Sequence, residues 1–188
     1  EAVENAGGFP GPGGGATLLA VECRVGGEIE TTVMLDWSNK HHDGFLGHAY
    51  VGSWVNIGAM TTNSDLRNDY GEIKVRLEGR EIHSGQIKLG CLIGDHVKLG
   101  IGLLLNTGVV IGPCANLYFE GGLISGEVPG FVWGGQAPYA EYRINKFFDT
   151  LQTVMGRRGQ KPGDAMRRRI VDLFAELRGS RIELIRPD

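Results

Sequence analysis

Residues 93–117 read Ile93-Gly-Asp-His-Val-Lys, Leu99-Gly-Ile-Gly-Leu-Leu, Leu105-Asn-Thr-Gly-Val-Val, Ile111-Gly-Pro-Cys-Ala-Asn, Leu117. An aliphatic residue opens every hexad, and glycine follows it in three of the four. A small or branched apolar residue (Val97, Leu103, Val109, Ala115) takes the fifth place. A period of six matches neither a 3.6-residue helix nor the two-residue alternation of a simple strand. It does match a β-solenoid, in which each hexad is one short flat strand with a corner. The first residue then points inward, the small fifth residue fits near the corner, and glycine permits the tight bend. Stacked coils bury a continuous aliphatic column.

The same phase extends toward the N-terminus. Val51-Gly-Ser-Trp-Val-Asn and Ile57-Gly-Ala-Met-Thr-Thr are two further copies, Phe45 stands six residues before Val51, and Val25-Gly-Gly-Glu-Ile-Glu is another. Residues 63–86 lose the phase. Within them Ile73, Val75 and Leu77 alternate between Gly71 and Gly79, which predicts a β-hairpin thrown out from the coil. Long excursions on a rigid scaffold commonly carry function. Residues 121–135 are irregular. Beyond them Phe147, Phe148, Leu151, Val154 and Met155 share one face of a helix predicted within 139–157. A second helix is predicted after Pro162 and Gly163, with Asp164 as N-cap and a stripe of Met166, Ile170, Val171, Phe174 and Leu177. These stripes are read as a cover for the open end of the solenoid. The expected organisation is a flexible lead-in at 1–16, a β-helix domain at 17–135 carrying the 63–86 insertion, and a helical extension at 136–188. A chain that opens on Glu1 is read as part of a longer protein.

Composition narrows the function classes. The net charge is -3, and the basic run Arg167-Arg168-Arg169 is read as a solvated helix face, so neither nucleic acid nor membrane is expected as a partner. Three cysteines without a CxxC spacing argue against a disulfide framework and a structural zinc site. With no signal-peptide pattern and no long apolar span, the cytoplasm is the expected location.

The stretch from Ser38 to Ala59 resembles the C-terminal, left-handed β-helix acetyltransferase domain of the bifunctional sugar-1-phosphate nucleotidyltransferase / glucosamine-1-phosphate acetyltransferase family, in its sugar nucleotidyltransferase branch. His42-Asp-Gly-Phe45-Leu46-Gly47 matches one block of the family pattern and Val55-Asn56-Ile57-Gly58-Ala59 a second. The likeness continues through Asp65-Leu66-Arg67 and 92–100 and covers about residues 19–135. It implies a homotrimer with acetyl-coenzyme A as co-substrate and a small sugar phosphate or nucleotide-sugar as acceptor. By that resemblance His42 is the general base and Asn56 a polar positioning or oxyanion-stabilising group. Glu28, Phe45, Asp65 and Lys74 then meet the substrate, and Gly100, Ile101 and Phe119 the donor. An imidazole with an ordinary pKa of about 6.5 suits proton removal from an amine at neutral pH.

Departures from the pattern cluster on the acceptor side. Phe45 replaces a tyrosine, Asp65 an asparagine, Met60 a glycine, and Glu30 the lysine expected to meet the sugar phosphate. They leave open a second reading, a catalytically silent trimerisation or regulatory β-helix. No metal is expected: His42 and His48 lie one hexad apart, on different sides of a three-hexad coil, and His96 lacks the pattern of a zinc-binding relative.

Overall fold

A computed structural model describes residues 8–10 and 16–186. The hexads form a parallel β-helix with three faces, each a ladder of two-residue rungs. Its inward residues are Leu19, Met34, Val51, Ile93, Ile111 and Val128 on the first face. On the second they are Val25, Lys40, Ile57, Leu99 and Leu117. On the third they are Ile29, Leu46, Asn63, Leu105 and Ile124. Most of these, with Cys91, Val97, Leu103, Val109 and Ala115 from the corners, form one continuous buried core. Neighbouring rungs lie about 4.8 Å apart.

The corners revise the expected role of glycine. The chain bends at the fourth residue of the hexad, not the second, and that residue is left-handed even where it is bulky: Trp54 (φ 60°), Met60 (61°), His96 (62°) and Cys114 (61°). Glycine at the second place answers a different demand, the close stacking of coils. A Cβ at Gly58 would lie 2.4 Å from the Gly100 carbonyl oxygen, and one at Gly112 would lie 2.4 Å from the Gly130 nitrogen.

Two inward positions carry polar side chains that hexad counting does not anticipate. Lys40 is fully buried, and its ammonium donates to the carbonyls of His42 and Gly26. Asn63 takes the place of a backbone pairing: its side chain accepts from Gly47 N (2.8 Å) and donates to Gly47 O (2.9 Å). Asn63 therefore belongs to the core, and the excursion leaves the coil after it. The phase at Phe45 also needs correcting. Leu46 is the buried column residue and Phe45 faces outward, because the step from Leu46 to Val51 at that corner is five positions instead of six.

The hairpin forms as expected, with Lys74–Leu77 antiparallel to Arg80–His83. It lies back against the coils instead of projecting. Ile73 is buried against Gly108, and the Glu127 carboxylate accepts from the turn amides of Glu78 and Gly79. Gly8–Pro10 pairs antiparallel with Ala16–Leu19; the rest of the expected lead-in lies outside the described residues.

Among the described residues three helices follow: α1 (Ile144–Gly156), α2 (Asp164–Glu176) and α3 (Arg178–Ile182). Residues 139–143 precede α1 as extended chain, and Ala140–Glu141 pairs with Val132–Trp133. Gly163, not Asp164, is the N-cap of α2. Helices α1 and α2 do not cover the end of the solenoid. Helix α1 runs along its side, over the corner between first and second faces, and buries Phe147, Leu151 and Met155 against Trp54, Cys114 and Phe131. Ile170 of α2 joins this cluster, whereas Val171 faces solvent. Tyr139 joins the main core with Ile185 packed on it, next to the last rungs at Ile124 and Val128. Arg181, 1% exposed, donates to Glu141 (2.9 Å) and lies over the Phe174 ring, tying α3 to this end.

Candidate active site on the bare edge

Among the described residues no helix lies over the corner between second and third faces. His41 and His42 stand there in one coil, Ala59 and Met60 in the next, Gly100 and Ile101 above, and Tyr118 and Phe119 above those. Backbone contacts fix this stack: Met60 N donates to Asp43 O (2.8 Å) and Gly102 N to Ala59 O (2.9 Å), while Gly100 sits against Tyr118. Met60, Ile101 and Phe119 are 63%, 71% and 54% exposed, an apolar stripe on a solvent-facing ridge. His42 is exposed at the foot of this stripe. Lys40 holds the His42 carbonyl from inside, so the buried ammonium fixes the backbone on which the imidazole rides. Burial pushes the Lys40 pKa down, opposed by the charge of Asp43.

The structure therefore gathers His42, Gly100, Ile101 and Phe119 on one edge. Asn56 lies on the adjoining second face, pointing outward, where its Oδ1 accepts from Asn39 Nδ2 (2.9 Å). Glu28 and Phe45 are neighbours on the third face, paired across adjacent rungs. The Phe45 ring folds over Gly47, filling the space a side chain there would take. Lys74 lies elsewhere. It is on the hairpin, paired with Glu81 at 2.7 Å, and faces a separate recess of about 260 Å³ shared with Arg67 and Asn106.

Two of the unusual charges have partners within the chain. Asp65 Oδ2 is 2.7 Å from His48 Nδ1, with both side chains largely buried, so the added carboxylate is held at the root of the excursion. Glu30 faces Lys88 at 3.9 Å. The sequence reading weighed His48 only as a metal ligand and did not foresee its pairing with Asp65. The two residues are 17 apart, about one coil of chain, and that spacing was the available signal.

The helix-covered corner holds titratable groups that are largely buried. His96 lies between Trp54 and Phe147, and burial, aided by the nearby charge of Lys98, pushes its pKa down to about 4. Burial also lowers Lys98, to about 8, and its ammonium donates to the Trp54 carbonyl. The three cysteines are buried and unpaired, and burial raises their pKa values. Among the described residues no group of three His, Cys, Asp or Glu side chains is placed to hold a metal ion, and no helix is long and apolar enough to cross a membrane. A cavity of about 940 Å³ lies between the last coils, the hairpin turn and the α3 segment, and none of the expected site residues lines it.

No family model matches the chain. Among curated proteins it is 35% identical over 128 residues to a bifunctional sugar-1-phosphate nucleotidylyltransferase/acetyltransferase of Sulfurisphaera tokodaii, covering 67% of this chain and 29% of that protein. It is 30% identical over 98 residues to the bifunctional protein GlmU of Methanocaldococcus jannaschii, covering 51% of this chain and 24% of that one. The chain thus spans less than a third of the length of either relative. Among solved structures it is similar to a hexapeptide-repeat-containing acetyltransferase of Vibrio cholerae complexed with acetyl coenzyme A, at 18% identity and a TM-score of 0.26 over 68% of this chain and 67% of that one. The resemblance read from Ser38 to Ala59 is borne out: this β-helix is similar in sequence to part of the bifunctional sugar-1-phosphate nucleotidylyltransferase/acetyltransferases.

Proposed function

We propose that the chain is an acetyl-coenzyme-A-dependent N-acetyltransferase domain that acts on an amino-sugar phosphate or a nucleotide-sugar, as a homotrimer in the cytoplasm. The observation that carries this is the bare edge, where His42 stands in line with the exposed stripe of Met60, Ile101 and Phe119. An apolar ridge of this kind suits the pantetheine arm, and Gly100 offers backbone without a side chain in the way. Acetyl-coenzyme A supplies the activated thioester. The chain's own contribution is to place the amine and take its proton. As the nitrogen attacks and the carbon–sulfur bond breaks, His42 accepts the proton the amine must lose, and a proton returns to the departing thiolate. Asn56 orients the acceptor from the adjoining face. The unpaired, buried thiols suit a reducing compartment.

The rival reading, a silent trimerising or regulatory solenoid, draws on the third face. There Glu30 engages Lys88, and Phe45 covers Gly47 where the family pattern has a hydroxyl. Thiol release from acetyl-coenzyme A, followed across a panel of amino sugars, their phosphates and nucleotide-sugars, separates the two. The first reading expects turnover with one acceptor class and a loss of about 100-fold or more in His42→Ala. No turnover with any acceptor supports the second.

A further inference from the structure

On the second face, a recess lies between the outward side chains of the coils and the last turn of α1. Arg24, Asn39, Asn56 and Lys98 stack rung upon rung there. Val154, Arg157 and Arg158 close it from the side, and Trp37 and Trp54, stacked at 5.1 Å with an interplanar angle of 3°, form a wall. The recess holds about 310 Å³, within the range of small-ligand sites. Among the described residues four cations line it and no carboxylate does, in a chain whose net charge is -3. Arg158 lies over the Trp37 ring and reaches Glu22 at 3.6 Å from outside the lining. Among the described residues Arg24 and Arg157 make no ion pair. Asn39 uses Asn56 Oδ1, which leaves the Asn56 amide donors without a protein acceptor among those residues.

We propose that this cleft binds the phosphoryl group of a small phosphorylated ligand. Like charges gathered in one recess repel each other until an anion joins them, and guanidinium groups match phosphate oxygens in geometry as well as charge. The carboxamide of Asn56 adds a neutral donor, and the stacked Trp37 and Trp54, already covered by Arg158 and His96, hold that side of the recess rigid. Two sources offer this chemistry: the phosphate of a sugar acceptor, and the 3′-phosphate of coenzyme A. The inference does not depend on acetyl transfer, since a chain inactive on every amine can still bind phosphate here.

The test is calorimetric titration of the full chain with pyrophosphate, glucosamine 1-phosphate, coenzyme A and dephospho-coenzyme A, with tryptophan fluorescence recorded in parallel. Saturable binding of pyrophosphate that perturbs the fluorescence is expected. The double variant Arg24→Glu/Arg157→Glu, both exposed positions, should keep its circular dichroism and bind at least about tenfold more weakly. Loss of affinity for glucosamine 1-phosphate assigns the cleft to the acceptor. A preference for coenzyme A over dephospho-coenzyme A that vanishes in the variant assigns it to the donor. The proposal is overturned if the parent binds none of the four, or if a folded variant binds them as tightly as the parent.

Discussion

The solenoid carries two corner columns built on the same plan and treated in opposite ways. At the corner between first and second faces, left-handed residues Trp37, Trp54, His96, Cys114 and Phe131 recur coil after coil, and α1 lies along them. At the corner between second and third faces Met60 is left-handed at the fourth place, while Ile101 and Phe119 stand exposed at the third place of their hexads, and among the described residues no helix is laid over them. Trp54, Cys114 and Phe131 are 7%, 1% and 0% exposed, against more than half for Met60, Ile101 and Phe119. A bulky side chain at a left-handed corner is strained wherever it sits. On the first column packing offsets that strain. On the second Met60 carries that strain while 63% exposed, and burial of the stripe it forms with Ile101 and Phe119 is left for a ligand or a neighbouring copy. The bare column is also the one with His42 at its foot.

The comparison can be broken most directly through stability. Phe131→Ala removes a ring packed against Phe147 and Phe174 and should cost about 3–5 kcal/mol, whereas Phe119→Ala should change stability by no more than about 0.5 kcal/mol. Urea unfolding of both variants checks this, and equal losses would erase the distinction between the columns.

Acid titration sharpens the same contrast at smaller amplitude. Burial holds His96 near pKa 4, below the ordinary value of about 6.5, so as pH falls the unfolded chain takes up the proton first. The stabilisation is fully present above pH 6.5 and should decline by about 3 kcal/mol on the way to pH 4. In His96→Leu this part of the slope should disappear, as read from unfolding midpoints across that range. A slope unchanged in the variant would place the acid sensitivity elsewhere.

The repeat was legible because residues 93–117 keep an unbroken six-residue register, and one period fixes both the inward column and the corners. Where the register slips, at the five-residue step from Leu46 to Val51, counting by six chose Phe45 instead. Lys40 escaped notice because a charged residue breaks a hydrophobic pattern; only the surrounding carbonyls show how its ammonium is satisfied. The helical stripes were legible as amphipathic but not their destination. Yet Trp37 and Trp54 are 17 residues apart, and Cys114 and Phe131 likewise, so a coil-length recurrence of bulky fourth residues marked where α1 would lie. Of the candidate site, the likeness to acetyltransferase sequences named His42, Gly100, Ile101 and Phe119 singly, and coil stacking placed them on one edge. Lys74 was drawn from the excursion, whose path no periodicity dictates, and it lies apart from that edge in a pair with Glu81.

The central claim is that the bare edge receives the acetyl donor. Calorimetric titration of the folded chain with acetyl-coenzyme A, beside Ile101→Asp, tests it most directly, since Ile101 is exposed and its replacement leaves the core intact. The account predicts saturable binding by the parent and an affinity at least about tenfold lower in the variant. Equal binding by both, or none by a folded parent, would contradict it.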